Sequence, residues 1–349
     1  MGGAHRRPEG GARAGGPRPG LLRLHDPRVG ARPADPPVGS AGLARRPGVT
    51  VVVPSWRRPD GLRDALSGLA RQADPGVDWD VVVVASASDP GVAGVVAGVD
   101  LPAPVTVVDE PLPGASRARN RGLAASRKVV AFLDDDCRPS ATWLASITAP
   151  VLAGRAGGTG GPVVADPAVG RPRWLGEALL AYLAAYDRGD VDRELAADDF
   201  VLTANAAFDA DLVESVGGFD PALGPTAGRP TVDDDVDLCR RVAAVGGSLA
   251  YVAGAVVVHD LPAGRLTPTY MVRRVYAQGR SDWLLDRDEL RGEPGRGAGL
   301  ALPRLRGELA AILPQGPWKP AVALHAACSA ARAAGFIREA VGAGRRPPG

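Results

Sequence analysis

Cysteine is scarce. Cys137, Cys239 and Cys328 are the three in 349 residues and lie far apart, so neither a disulfide framework nor a paired-cysteine zinc site organises the chain. A reducing compartment fits. Long apolar runs are missing as well: stretches such as 49–54 and 81–85 are strand-sized, far short of the roughly 20 residues that cross a bilayer. That excludes a polytopic membrane protein. The first residues carry arginine but no apolar core, and Arg6 spoils a myristoylation pattern, so the expected location is the cytoplasm. Lysine occurs only at Lys128 and Lys319 among 41 basic residues, which reads as codon bias rather than as a choice of arginine for phosphate chemistry.

The net charge of +2 conceals an asymmetry. Residues 1–47 hold nine arginines against three acids, a surplus of six, so the remaining chain carries −4. An acidic body does not resemble a nucleic-acid binder. With 45% hydrophobic and 23% charged residues, the chain is long enough for one large α/β domain or two modest ones.

Residues 1–47 are Gly, Pro, Ala and Arg without periodicity, a composition expected to stay disordered. From Val49 the pattern changes. Strand-like runs at 49–54, 81–84, 105–108 and 129–133 alternate with helical spacing at 58–72 and 115–125. Such continuous apolar strands predict a mostly parallel, Rossmann-like sheet flanked by helices, which binds ligands at the carboxyl ends of its strands. Further on, helices are expected at 143–152 and 174–186, from Asp209, and at 236–245, with strands at 157–164, 200–208 and 248–259. An Ala-rich helix at 321–341 is expected to pack on the body, within a helical C-terminal extension over 291–349 that ends in disorder.

The chemistry concentrates at Phe-Leu-Asp-Asp-Asp-Cys, residues 132–137. Three adjacent carboxylates after a buried strand repel one another unless a positive charge offsets them. In an extended segment Asp134 and Asp136 would share a face and converge on one ion while Asp135 points elsewhere; oxygen ligands favour Mg²⁺ or Mn²⁺. A second cluster places Asp233, Asp234, Asp235 and Asp237 before a helix. Capping accounts for one or two acids there, not four. One of them, close to a bound hydroxyl, could serve as a general base. His259 ends the last expected strand and is a candidate third ligand.

In order along the chain, Val-Val-Val-Pro-Ser (51–55), Ala-Arg-Asn-Arg-Gly (118–122), Phe-Leu-Asp-Asp-Asp-Cys (132–137), Asn205, Gly-Gly-Phe-Asp (217–220), Asp-Asp-Val-Asp-Leu-Cys-Arg-Arg (234–241) and His259 together resemble the family 2 glycosyltransferases with the GT-A fold. Arg265-Leu-Thr-Pro and the 276–282 segment resemble the stretch after the histidine in many bacterial members. The resemblance implies a GT-A domain over 48–290 and inverting transfer from a nucleotide-diphospho-sugar to an acceptor hydroxyl. It implies that Asp134 and Asp136 match the family's Asp-x-Asp, with His259 as a further metal or diphosphate contact. Asp234 and Asp235 then stand for the catalytic pair, with Asp235 as the base; Pro54, Ser55, Arg119, Asn120, Asp134 and Asp135 would face the donor.

Two departures from the family matter. Ala85 stands where an Asp usually follows the second strand, which weakens a uridine donor; Asp89 or Asp109 could substitute. The 278–283 segment lacks the Gln-x-x-Arg-Trp of polymer synthases, which favours addition of one sugar. The acceptor, whether a glycan, a lipid-linked species, a peptide or a small molecule, is not specified, and peripheral membrane contact stays open. Two other functions remain: a nucleotide-sugar-binding module without turnover, and a glycoside hydrolase using the two acid clusters.

Overall fold

The computed structural model describes residues 45–226, 229–290 and 320–343. Nearly all of the expected N-terminal tail, together with 291–319 and 344–349, lies outside the described residues.

The alternating pattern produces strand β1 (Val49–Ser55), helix α1 (Pro59–Ala70), β2 (Trp79–Ser86), α2 (Gly91–Ala97), β3 (Val105–Glu110), α3 (Ala115–Ala124) and β4 (Val129–Leu133). These four strands pair in parallel in the order β3-β2-β1-β4. β1 and β4 are buried along almost their whole length, which explains why their sequences are continuous rather than alternating. Short β5 (Cys137–Pro139), not expected from the sequence, and α4 (Trp143–Leu152) follow.

The second half of the sheet is mixed. β9 (Asn205–Asp209) runs antiparallel to β4, Asn205 opposite Leu133 and Asp209 opposite Val129. The parallel order stops at this antiparallel pairing. β9 is followed by β6 (Gly158–Gly160), β12 (Leu249–Tyr251) and β8 (Arg193–Glu194) at the edge.

Two expected strands are each split between two sheets. The run 157–164 divides into β6 and β7 (Val163–Pro167) at Gly161-Pro162, because proline has no N–H for the ladder. The run 248–259 divides into β12 and β13 (Val257–Leu261) at a turn in which Ala255 N donates to Val252 O (3.1 Å). β13 then pairs with β5 and β7 in a small three-stranded sheet. Both breaks are held by one side chain: the Nδ2 of buried Asn205 donates to Pro162 O (2.9 Å) and Ala255 O (2.7 Å), while its Oδ1 accepts from Trp143 Nε1 (2.7 Å).

The helix expected at 174–186 is shorter. One turn, α5 (Glu177–Leu180), passes into a 3₁₀ turn (Ala181–Leu183) and stops at Ala184, whose φ is 61°. Tyr186 is drawn back to pair with Val163. Leu175, Leu179 and Leu183 are nevertheless buried together, with Met271, Val275 and Cys328, whereas Tyr186 packs in the main core. α6 (Ala210–Ser215) is capped by Asp209, which accepts from Asp211 N and Leu212 N. A two-residue hairpin, β10 (Pro225–Thr226) and β11 (Arg229–Pro230), precedes α7 (Asp234–Ala244).

Two long helices, α8 (Pro268–Leu290) and α9 (Pro320–Ala343), finish the chain and pack on each other. Glycine permits the contact. A Cβ at Gly279 would collide with the Arg332 carbonyl, and one at Gly335 with that of Tyr276. No helix among the described residues is long and apolar enough to cross a membrane.

α3 crosses the sheet just as closely, with Gly122 directly over the Val52 side chain. Gly122→Val should therefore destabilise the protein by about 1–3 kcal/mol, the usual cost of overpacking, read as a lower thermal midpoint.

Candidate active site

Where β4 leaves the sheet the chain does not stay extended, contrary to the expectation for 134–136. Cys137 N donates to Asp134 O (3.0 Å), closing a tight turn that feeds β5. The positive charge that the three carboxylates' repulsion demands comes from arginine: Arg119 serves Asp134, and Arg58 is shared by Asp135 and Asp136. Asp134 accepts from Arg119 Nη2 at 2.8 Å. Asp135, 5% exposed, accepts from Arg58 Nη1 (3.1 Å), Trp56 N (3.3 Å) and the Ser55 hydroxyl. Burial pushes its pKa up to about 6, against the pull of Arg58. Asp136 is bound by Arg58 and lies 3.3 Å from both His259 Nε2 and Arg265 Nη1. Burial works against its charge, but His259, Arg58 and Arg265 together hold its carboxyl well below the usual range.

His259 reaches this turn because β13 pairs with β5, placing it opposite Cys137. Asp260 N also donates to Asp136 O (2.9 Å). The ring is 4% exposed, and its Nδ1 is buried without a hydrogen-bond partner.

The second acid cluster opens α7. Asp233 is its N-cap and has a left-handed backbone, φ 68°. Asp234 accepts from Arg119 Nη1 (2.7 Å) and Ser116 Oγ (3.1 Å). Asp235 Oδ1 accepts from Val236 N (2.9 Å). Burial, reinforced by Asp234, pushes the Asp235 pKa up to about 7. Burial together with Asp282 and Asp235 pushes Asp233 up to about 8.

Arg119 joins the two clusters. Its guanidinium is 6% exposed and bridges Asp134 and Asp234; it also packs over the Phe219 ring, 5.8 Å from the centroid. Despite burial, the two carboxylates keep its pKa above the ordinary arginine value.

On the expected nucleotide side, Pro54 and buried Ser55 end β1 beside Val84 and Ala85. Asn120 is spent on the backbone: its Nδ2 donates to Phe219 O and its Oδ1 accepts from Phe219 N, both at 2.8 Å. This fastens the Gly-Gly-Phe-Asp turn, where Gly218 (φ 68°) lies against the same amide. Of the two substitutes for Ala85, Asp89 accepts from Arg57 N (2.5 Å) and Gly91 N (3.0 Å), and Asp109 from Ser88 Oγ (3.0 Å).

Sequence reasoning missed Arg58, whose only signal was the need for positive charge beside three acids. It also missed Gln278 and Ser281, which act through contacts between distant segments.

Among the described residues no three His, Cys, Asp or Glu side chains form a ready-made metal cage. Asp136 and His259, 3.3 Å apart, are still a fitting donor pair: divalent ions of this kind are commonly held by one or two protein groups plus substrate phosphate.

The family description "Glycosyltransferase like family 2" matches residues 47–290. The chain belongs to that family. The succinoglycan biosynthesis protein ExoM of Rhizobium meliloti is 26% identical over 239 residues, covering 67% of this chain and 73% of its own. The glycosyltransferase AglE of Haloferax volcanii is 25% identical, covering 70% and 77%. The pre-mycofactocin glycosyltransferase of Mycobacterium tuberculosis is 31% identical over 61% of this chain, which spans 42% of that protein. Among solved structures, the mannosyltransferase PcManGT from Pyrobaculum calidifontis, in complex with GDP-Man and Mn²⁺, superposes with a TM-score of 0.54 at 21% identity, covering 84% of this chain and 87% of that one. The fold is that of the GT-A glycosyltransferases, as expected, and this glycosyltransferase places its acid clusters at the end of β4 and the start of α7.

The raised carboxyls have a consequence for stability. A carboxyl whose folded pKa lies above its unfolded one stabilises the fold while protonated, and that contribution is lost as pH rises through the folded value. The thermal midpoint should accordingly fall between pH 5 and about pH 8, the value for Asp233. Asp233→Asn should flatten the upper part of that profile.

Proposed function

We propose that this glycosyltransferase moves a single sugar from a nucleotide-diphospho-sugar to an acceptor hydroxyl, with inversion at the anomeric carbon and with a divalent ion, Mn²⁺ or Mg²⁺, at the donor. The observation that carries the reading is the Arg119 bridge, which puts a phosphate-side acid cluster and a base-side acid cluster within one side chain of each other. The complex of PcManGT with GDP-Man and Mn²⁺ supports the same donor chemistry.

Asp136 and His259 would hold the ion, with Asp134, which the Arg119 bridge now engages, as the remaining candidate ligand of the same turn. Bound there, it would stabilise the negative charge that builds on the departing nucleoside diphosphate. Arg58 and Arg265, which lie on Asp136, are the chain's own phosphate partners. Pro54, Ser55 and Asp135 line the donor side, where Asp135 fixes the 55–58 segment. Asn120 supports that side indirectly, by holding the 217–220 turn.

Asp235 is the base. Asp234 is tied to Arg119 and Ser116, whereas the pKa of Asp235, about 7, suits removal of a hydroxyl proton near neutrality. Two neighbouring carboxyls with environments that push them apart can divide the work in this way. The 174–186 segment and the 224–231 loop are the candidates for the acceptor side; a cytoplasmic location belongs to the same reading.

Asp235→Asn should cut nucleotide release at least about 100-fold, as loss of a positioned base does, while nucleotide-sugar affinity by titration stays unchanged. Equal loss of affinity would reassign the residue. In a thermal-shift screen of GDP-mannose, UDP-glucose and UDP-galactose, the matching donor should raise the midpoint more with Mn²⁺ than with chelator. Asp136→Ala should abolish that difference, and an undiminished manganese effect in this variant would remove Asp136 from the ligand set.

A further inference from the structure

We infer that the two C-terminal helices set the position of the base: Gln278 and Ser281 of α8, braced by Arg332 of α9 through Asp282, are positioning residues for the segment that carries Asp235. The inference rests on the reading of Asp235 as the base.

The segment entering α7 is held from α8 at two successive residues. Val232 N donates to the buried Ser281 Oγ at 2.7 Å. Gln278 Nε2 donates to the Asp233 carboxyl. The orientation of that amide is determined at its other end, where Oε1 accepts from Arg274 Nη1 at 3.1 Å, since an arginine can only donate. Both contacts fall just before Asp234 and Asp235. The second of them grips Asp233, whose φ of 68° is unfavourable for a side chain with a Cβ and persists only where surroundings enforce it.

α8 is in turn fixed by α9. Asp282, one turn from Gln278 and 3.4 Å from its Nε2, receives Arg332 through two contacts, Nε to Oδ2 at 2.7 Å and Nη2 to Oδ1 at 3.1 Å. Both side chains are under 10% exposed. Arg280 pairs with Glu339 at 2.7 Å, and the Gly279 and Gly335 contacts leave no slack between the helices. Tyr182 joins the same group, with Arg274 over its ring at 5.9 Å and Arg332 Nη1 3.4 Å from its hydroxyl. α9 lies beyond residues 47–290, the part that matches the family. The direct holds thus come from α8, inside the part that matches the family, and their bracing from α9, outside it.

The test is a double-mutant cycle on nucleoside diphosphate release from GDP-mannose or UDP-glucose, with water as the accepting hydroxyl. Gln278→Leu should lower kcat about 10-fold or more while KM for the nucleotide-sugar is unchanged. In the Asp235→Asn background the same substitution should cause no further loss, because no base remains to be positioned. An equal fractional loss in both backgrounds, or no loss in the parent, overturns the inference. If Gln278→Leu does not fold, Ser281→Ala carries the same expectations. Full turnover by Asp235→Asn alone would overturn the base assignment itself, an outcome distinct from additivity in the cycle.

Discussion

The whole site depends on one buried guanidinium. Arg119 lies in a helix that packs on β1 and spans two carboxylates separated by a hundred residues of chain. A buried charge is costly to desolvate, and removing either partner leaves the other uncompensated. The bridge therefore specifies geometry more than it adds stability: the end of β4 and the start of α7 stay together because neither carboxylate has an equally good alternative. Its packing over Phe219 orients the planar group, which lysine could not reproduce.

Around that bridge the molecule divides its labour. The first four strands and their helices build a rigid platform whose strand ends present Ser55, the 134–136 turn and, across the small sheet, His259. α7 packs on the sheet core through Leu238, Cys239 and Val242, and α8 and α9 pack on each other beside it. Polar side chains link these helices: Ser281, Gln278, Asp282 and Arg332 form a continuous set of contacts from the last helix to the segment entering α7. Thus the first acid cluster is positioned by backbone pairing and the segment entering α7 by side-chain contacts.

How much of this the sequence reveals depends on the range of the interactions. Local periodicity is enough for β1, α1, β4, α4 and α9, whose expected limits lie within a few residues of the observed ones. It fails where tertiary pairing interrupts a uniform apolar run, as at Pro162 and Val252, or where a left-handed residue such as Ala184 ends a helix whose periodicity continues. The acid clusters are legible because adjacent like charges need an explanation. Their partners are not, since the contacts of Arg58 with Asp135 and Gln278 with Asp233 span 77 and 45 residues. The turn at 134–136 shows the limit most clearly. Alternation along an extended strand would have grouped Asp134 with Asp136, whereas β5 requires the chain to reverse there.

Asn205 touches no carboxylate of the site, yet its amide hydrogens hold both points at which the chain leaves the large sheet for the small one. The strand bearing His259 begins just past one of those points, and β9, which starts at Asn205, pairs with β4 up to Leu133, next to Asp134. The imidazole and the aspartate turn are thus surveyed from a common benchmark, and the spacing between them is inherited from a side chain buried behind both.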